Sequence, residues 1–155
     1  MRISEDKEMI NAPILYVEDN PDDVEMTLLA FSESNLANEV VVARDGEEAL
    51  SYLFAEGIYS EREPDAFPAL MLIDLKLPKI DGKELLRRVR ADRRTRLLPV
   101  VILTSSREEQ DIIESYELGA NSYLRKPVDF EKLVEAVTHL QVYWLMLNEL
   151  PPRRV

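Results

Sequence analysis

The feature that most constrains how this chain can fold is a series of short apolar runs, each followed by a helix-patterned stretch. Runs of four or five apolar residues are typical of strands that are covered on both faces. Strands that alternate with helices predict a parallel sheet with helices packed on both sides. We therefore expect an α/β fold with one doubly wound, five-stranded parallel sheet. The predicted strands occupy 13–17, 39–43, 69–73, 99–103 and 121–124.

Helix-start signals follow the strands. Asn20 is a favourable N-cap, and Pro21 suits the first helical position. The next two helices begin with the spacing of a capping box, in which an acidic N-cap is followed by glutamate three residues later. These pairs are Asp45 with Glu48 and Asp81 with Glu84. The last two helices are predicted over 108–118 and from Asp129 to about Leu147.

The composition limits the class of protein and its partners. The chain has 155 residues, of which 46% are hydrophobic and 32% charged, so it has enough apolar residues for one globular core. It contains no cysteine, which excludes disulfides and thiolate metal sites. Its net charge of -11 disfavours binding to nucleic acid or to an anionic membrane. No signal peptide or membrane-spanning run is found, so we expect a cytoplasmic protein.

Reactive side chains follow four of the five predicted strands. Glu18 and Asp19 come after the first, Asp74 after the third, Thr104 after the fourth and Lys126 after the fifth. In a parallel sheet the carboxyl ends of all strands lie along one edge, where ligands bind. The sequence therefore predicts that these groups form one site.

The chemistry of this predicted site favours a phosphoryl group and a metal ion. Carboxylates that lie close together repel each other unless a cation lies between them. Oxygen ligands without histidine or cysteine suit Mg²⁺, with Mn²⁺ as a second possibility, and Asp19 and Asp74 are the expected ligands. Lys126 adds positive charge and Thr104 a hydroxyl, which together can neutralise and position a phosphoryl group. An aspartate can also accept that group covalently.

With these residues in order, the sequence resembles the receiver domains of the two-component response regulator family. Asp74 matches the phosphorylated aspartate of that family, and Thr104 and Tyr123 match its two switch positions. Further matches are the acidic pair Glu18-Asp19, the turn Ile80-Asp81-Gly82 and the step Lys126-Pro127. The receiver domain would occupy 13–147, between a flexible N-terminal segment at 1–12 and a tail at 148–155, with no output domain.

The resemblance implies a flavodoxin-like fold with the strand order 2-1-3-4-5. It implies that a partner histidine kinase phosphorylates Asp74, and that Mg²⁺ is bound by Asp19, Asp74 and the backbone carbonyl of Lys76, with Glu18 acting through water. The protein would assist its own phosphorylation and dephosphorylation without being a turnover enzyme.

The resemblance also implies how phosphorylation would be transmitted. Lys126-Pro127 would be a cis peptide bond that bends the lysine towards the site. Thr104 would move towards the phosphoryl group, and Tyr123 would turn inward. These movements would change the face formed by the fourth helix, the fifth strand and the fifth helix.

The end of the last helix is apolar on all sides, which predicts that it is covered on both sides. Its buried stripe is predicted to include Leu140, Trp144 and Leu147. A homodimer or partner contact is predicted on the remaining apolar residues, which are Val142, Tyr143, Leu145 and Met146. Together with the extended loop at 58–67, this segment resembles single-domain regulators that work with phytochrome-type histidine kinases and form dimers.

Other functions on a related fold fit the residues less well. A haloacid dehalogenase-like phosphatase needs a second aspartate two residues after the first, where this chain has Lys76. A flavin- or nucleotide-binding domain needs a phosphate loop rich in glycine, serine or threonine after the first strand, where this chain is acidic over 18–23. A receiver that binds partners without being phosphorylated is a third alternative, which the complete site argues against.

Overall fold

The computed structural model of this protein describes residues 12–34 and 38–152. Apart from Ala12, the predicted N-terminal segment at 1–12 lies outside the described residues, as does the end of the predicted tail, 153–155. The described residues form a five-stranded parallel sheet in the order β2-β1-β3-β4-β5. Both the predicted fold class and the predicted strand order are confirmed. The strands are β1 (Ile14–Val17), β2 (Val40–Ala43), β3 (Leu70–Ile73), β4 (Val100–Thr104) and β5 (Ser122–Arg125).

Five α-helices are present in the described residues, and their predicted N-caps are confirmed. The side chain of Asn20 accepts hydrogen bonds from the first turn of α1, and Asp45 and Asp81 do the same for α2 and α3. Within the described part of the chain, no helix is long and apolar enough to span a membrane. The helices are α1 (Pro21–Glu33), α2 (Gly46–Leu53), α3 (Gly82–Ala91), α4 (Glu109–Glu117) and α5 (Phe130–Gln141).

Helices cover both faces of the sheet, and successive strand residues pack on opposite faces. In β1, Leu15 packs with residues of α2 and α3, whereas Tyr16 packs with residues of α1 and α5. All four residues of β1 and of β3 are buried, as expected for central strands of a doubly wound sheet. This burial on both faces explains why these two strands are unbroken apolar runs in the sequence.

The last helix differs from the prediction of one regular helix to about Leu147. Helix α5 ends at Gln141 and continues as a π-helix over Val142–Leu147. A π-helix pairs residues five apart rather than four. Leu145, five residues after Leu140, therefore takes the next core position and is only 3% exposed.

This change of phase corrects two predictions. Leu145 was expected on the outward-facing contact surface but belongs to the protein's own core. Leu147 was expected in the buried stripe but is 71% exposed. Tyr143 and Met146 are exposed as predicted, and Val142 is partly exposed.

The loop before β3 contains a short 3-10 helix at Gly57–Tyr59 and is tied to the end of α2. The guanidinium of Arg62 donates hydrogen bonds to the carbonyls of Tyr52 and Leu53, both at 2.7 Å. Arg62 also lies over the ring of Tyr52. Arg62 and a hydrogen bond from the Tyr59 hydroxyl to Glu48 at 2.6 Å therefore hold the loop against α2. Most residues of the loop are exposed, as predicted.

Candidate functional site

The carboxyl edge of the sheet brings three carboxylates together. Glu18 follows β1 and is 1% exposed, and Asp74 follows β3 and is 7% exposed. Asp19 is exposed beside them. One carboxylate oxygen from each of these residues lies within 4.8 Å of the others. The structure thus places the predicted acidic residues at one point, as parallel strands require.

A close approach of α3 shapes the backbone at Asp74. A Cβ atom on Gly82 would lie 2.2 Å from the carbonyl oxygen of Asp74 and 2.7 Å from the Cα of Leu75. Only glycine therefore fits at this position. The amide of Gly82 donates to the carbonyl of Leu75 at 2.9 Å, which fixes the turn that follows Asp74.

Lys126 reaches the same point from the end of β5. Its Nζ contacts the carboxylates of Glu18, Asp74 and Asp23, with distances of 3.3 Å to Asp74 and 3.2 Å to Asp23. Its backbone amide donates to the carbonyl of Thr104 at 2.8 Å. Burial opposes the charge of the ammonium, but the hydrogen bond to Glu18 and the charge of Asp74 outweigh it and raise the pKa of Lys126.

The Lys126-Pro127 peptide bond is trans, since the described residues contain no cis peptide bond, and the predicted cis bond is wrong for this structure. The trans form of a bond before proline is lower in free energy by about 0.5–1 kcal/mol unless the surroundings favour cis. Here the ammonium already contacts three carboxylates, so its placement does not depend on a cis bond.

Glu18 is the most enclosed acid of the site. Its carboxylate accepts hydrogen bonds from the backbone amides of Asp19 and Asn20 at 3.1 and 3.2 Å. Burial raises the pKa of Glu18 to about 7, an effect that Lys126 opposes and the charge of Asp74 reinforces. Beneath it, the Tyr16 hydroxyl lies 3.2 Å from the hydroxyl of Thr27. The two backbone amides and Lys126 therefore hold the carboxylate of Glu18 in place.

The two candidate switch residues are connected through Ser106. Thr104 ends β4 and is 1% exposed, and its hydroxyl oxygen accepts a hydrogen bond from the amide of Ser106 at 3.3 Å. The hydroxyl of Tyr123 in β5 donates to the carbonyl of Ser106 at 3.2 Å. A shift of the loop after Thr104 would therefore break or move the contact of Tyr123.

Sequence reasoning missed a second polar network beside this loop. Lys83, at the start of α3, forms ion pairs with Asp111 at 2.6 Å and Glu114 at 2.5 Å, both on α4. The hydroxyl of Ser106 donates to Asp111 at 2.6 Å. The hydrogen bonds from Lys83 and Ser106 lower the pKa of Asp111. Lys83 lies 28 and 31 residues from Asp111 and Glu114, on a different helix, so no spacing could have indicated these contacts.

Sequence reasoning also assigned no role to Asp23, which contacts Lys126. Asp23 lies in the first turn of α1, close in sequence to Glu18 and Asp19. This proximity was the available signal, because a helix that begins at the edge of the sheet carries its first turn into the site. Lys76 lies in the loop two residues after Asp74, and its side chain is exposed.

The donor set fits a hard divalent cation. Carboxylate oxygens of Glu18, Asp19 and Asp74 converge, and no histidine or cysteine lies among them. Such oxygen-only sets are typical of Mg²⁺ and Mn²⁺ sites. The site thus combines a buried aspartate, a group of metal-binding carboxylates and a lysine, which is the combination needed to accept and neutralise a phosphoryl group.

Comparison with known proteins agrees with this geometry. The model of the response regulator receiver domain family matches residues 14–138, within the predicted domain at 13–147. Response regulator Rcp1 of Synechocystis sp. is 38% identical over 89% of this chain and 92% of its own length. The structure of the Mn²⁺-bound form of Rcp1 has a TM-score of 0.80 at 36% identity and covers 90% of this chain and 99% of its own.

Two further solved structures are similar over nearly their whole length. The phosphorylated cyanobacterial phytochrome response regulator RcpA has a TM-score of 0.83 at 38% identity, covering 91% of this chain and 99% of its own. The bacteriophytochrome response regulator AtBRR has a TM-score of 0.72 at 56% identity, covering 89% and 98%. These similarities confirm the predicted resemblance to phytochrome-associated regulators.

Proposed function

Because the chain belongs to the response regulator receiver family, we propose that it carries a signal by accepting a phosphoryl group on Asp74 from a partner histidine kinase. The observation that carries this proposal is the arrangement around Asp74. The aspartate follows a buried central strand, and the ammonium of Lys126 lies 3.3 Å from its carboxylate. Two further carboxylates that can bind a cation stand beside it.

In the proposed reaction a carboxylate oxygen of Asp74 attacks the phosphorus of the kinase phosphohistidine. The phosphorus–nitrogen bond breaks, and the imidazole nitrogen leaves with the electron pair and takes up a proton. A phosphorus–oxygen bond forms, giving an aspartyl phosphate. Lys126 would then pair with the phosphoryl oxygens, and the turn fixed by Gly82 would keep Asp74 in line for the attack.

Asp19, Asp74 and the backbone carbonyl of Lys76 would bind Mg²⁺, and Glu18 would act through water. Mg²⁺, when bound, would neutralise part of the charge on the transferred group. The convergence of the carboxylates supports this assignment, and Mn²⁺ is a possible substitute. Since Glu18 also contacts Lys126, it would keep the lysine directed at the site.

Phosphorylation would be transmitted through Thr104 and Tyr123. The hydroxyl of Thr104 would move towards the phosphoryl group and draw the loop at Ser106 with it. Tyr123 would lose its hydrogen bond to Ser106 and turn inward. The α4–β5–α5 surface would then change shape, which is how the signal would leave the domain. The protein would be a phosphoacceptor that assists its own phosphorylation and dephosphorylation.

The partner kinase would be of the phytochrome type, because the similar structures include regulators named for phytochrome and bacteriophytochrome. The protein would also form a homodimer through the end of the last helix. The exposed apolar side chains of Tyr143 and Met146, 52% and 66% exposed, support this contact, together with the partly exposed Val142.

The central test is incubation with acetyl phosphate and Mg²⁺, followed by intact mass measurement. The wild-type protein should gain a single phosphoryl group, and Asp74→Asn should gain none. Asp65→Asn, which changes an exposed aspartate of the loop before β3, is the matched control and should be labelled like the wild type. Equal labelling of Asp74→Asn and the wild type would disprove the proposal.

A further inference from the structure

A cavity of about 480 Å³ lies next to the phosphoryl site and shares Lys126 with it. It is formed by the end of β5, the start of α5 and the loop between β4 and α4. Four of its lining residues are cationic and one is acidic. The lining residues are Arg107, Arg125, Lys126, Pro127, Val128, Asp129 and Lys132.

Three of these cations are unpaired. Among the ion pairs formed within 12–34 and 38–152, none includes Arg107, Arg125 or Lys132. All three are exposed. The single acid of the lining, Asp129, caps α5 by accepting from backbone amides. On a protein with a net charge of -11, this is a local concentration of positive charge without an internal partner.

An exposed apolar side chain lies among the cations. Val128 is 97% exposed and also lines the cavity. Positive charge attracts carboxylates over a distance, and an apolar group gains from being covered once a partner has arrived. The combination fits a segment of protein that carries several carboxylates and at least one apolar side chain.

The cavity spans a part of the molecule that would move and a part that would not. Arg107 lies on the loop three residues after Thr104, next to Ser106. Arg125 ends β5 and Lys132 lies in the first turn of α5, both fixed by the sheet and the core. A displacement of the loop at Thr104 would therefore change the distance between Arg107 and the other two cations.

We propose that this cavity is the docking site of the output partner, and that the partner presents an acidic segment with an apolar side chain. Its carboxylates pair with Arg107, Arg125 and Lys132, and its apolar group packs on Val128. Phosphorylation at Asp74 strengthens the contact by repositioning Arg107. This inference rests on the proposed function, since it specifies the partner that would respond to the movement of the loop after Thr104.

The test uses a fluorescent helical peptide of alternating glutamate and leucine pairs as the probe, and a peptide with glutamine in place of glutamate as its control. Binding is measured by fluorescence anisotropy, with and without prior phosphorylation by acetyl phosphate and Mg²⁺. We expect the glutamate peptide to bind more tightly to the phosphorylated protein than to the unphosphorylated one. Its binding should weaken as salt is added. Equal binding of the two peptides would overturn the proposal.

Two triple variants with the same change of charge separate the cavity from general electrostatics. The first combines Arg107→Ala, Arg125→Ala and Lys132→Ala. The second combines Arg44→Ala, Arg93→Ala and Arg96→Ala, which are exposed arginines outside the cavity. The loss of three ion pairs should weaken peptide binding about tenfold in the first variant, against less than about twofold in the second. Equal weakening in both would refute the site.

Further measurements distinguish other occupants and the failure of the underlying function. Both triple variants should still gain one phosphoryl group from acetyl phosphate, which also shows that they are folded. If the wild type gains none, the proposed function fails; if it is labelled but the cavity variant binds the peptide normally, only the docking site fails.

A monomer mass in the cavity variant alone would identify a second copy as the occupant, and tighter binding of single-stranded DNA than of peptide would identify nucleic acid. Either result would reject the acidic protein segment.

Discussion

Asp111 links the loop that follows Thr104 to the start of α3, although it lies outside the phosphoryl site. It accepts hydrogen bonds from Ser106 and Lys83, each at 2.6 Å. A movement of Ser106 relative to α4 would lengthen or break the contact with Asp111. The free energy of this contact therefore contributes to the balance between the resting and the activated arrangement of the loop.

We predict that Asp111→Asn lowers the free energy of unfolding by about 1–2 kcal/mol at neutral pH, because a charged hydrogen-bond acceptor is lost. The pKa of Asp111 is lowered in the folded protein, so its contribution is complete above the ordinary value of 3.8 and is lost as the pH falls below that value. Urea unfolding of the wild type and of Asp111→Asn, at pH 6 and at about pH 2.5, would measure the difference in the free energy of unfolding.

Asp65→Asn is the control for this experiment and should match the wild type at both pH values, since Asp65 is exposed in the loop before β3. A difference between wild type and Asp111→Asn that persists in acid would show that packing, rather than charge, holds the contact.

At the scale of the elements, the π-helix after α5 determines which residues of the last segment reach the core. Leu145 is buried at 3% exposure, and Leu147, two residues later, is exposed at 71%. A regular helix would have placed Leu147 on the stripe that continues from Leu140. The wider turn places Leu145 there instead and leaves the other apolar side chains at the surface.

We predict that Leu145→Ala lowers the free energy of unfolding by about 2–4 kcal/mol, because it removes buried methyl groups and leaves a cavity. Leu147→Ala makes the same chemical change at an exposed position and should cost less than about 0.5 kcal/mol. Urea unfolding at low protein concentration would compare them. A larger loss for Leu147→Ala than for Leu145→Ala would mean that the segment is a regular α-helix in solution.

Strands β1, β3 and β4 could be predicted from the sequence because burial on both faces makes each of them a distinct apolar run. The site could be predicted for the same reason, since parallel strands must bring Glu18, Asp74 and Lys126 to one edge. Which residues of 142–147 are buried could not be predicted, because a segment that is apolar on all sides has no hydrophobic periodicity. The contacts of Lys83 with α4 depend on how two helices pack, which single-sequence patterns do not encode.

At the scale of the whole molecule, the proposed dimer would be formed by surfaces that the core does not use. We predict that Val142→Glu combined with Met146→Glu gives a folded monomer, because charges would be buried in the contact. Light scattering after size-exclusion chromatography would measure the mass. Met26→Glu with Leu29→Glu, at exposed apolar positions of α1, is the control and should keep the wild-type mass. An unchanged mass in the first variant would place any dimer contact elsewhere.

The strand order also determines when the protein can fold as it leaves the ribosome. Strand β1 is synthesised first, but its second edge is covered only when β3 has emerged, because β1 lies between β2 and β3. Until then the nascent chain exposes the apolar strand β1 with unpaired backbone groups along one edge. Such an edge can aggregate or bind chaperones. Asp74 emerges with β3, whereas Lys126 follows β5, so the half-made protein can gain a sheet before it can gain a phosphoryl-binding site.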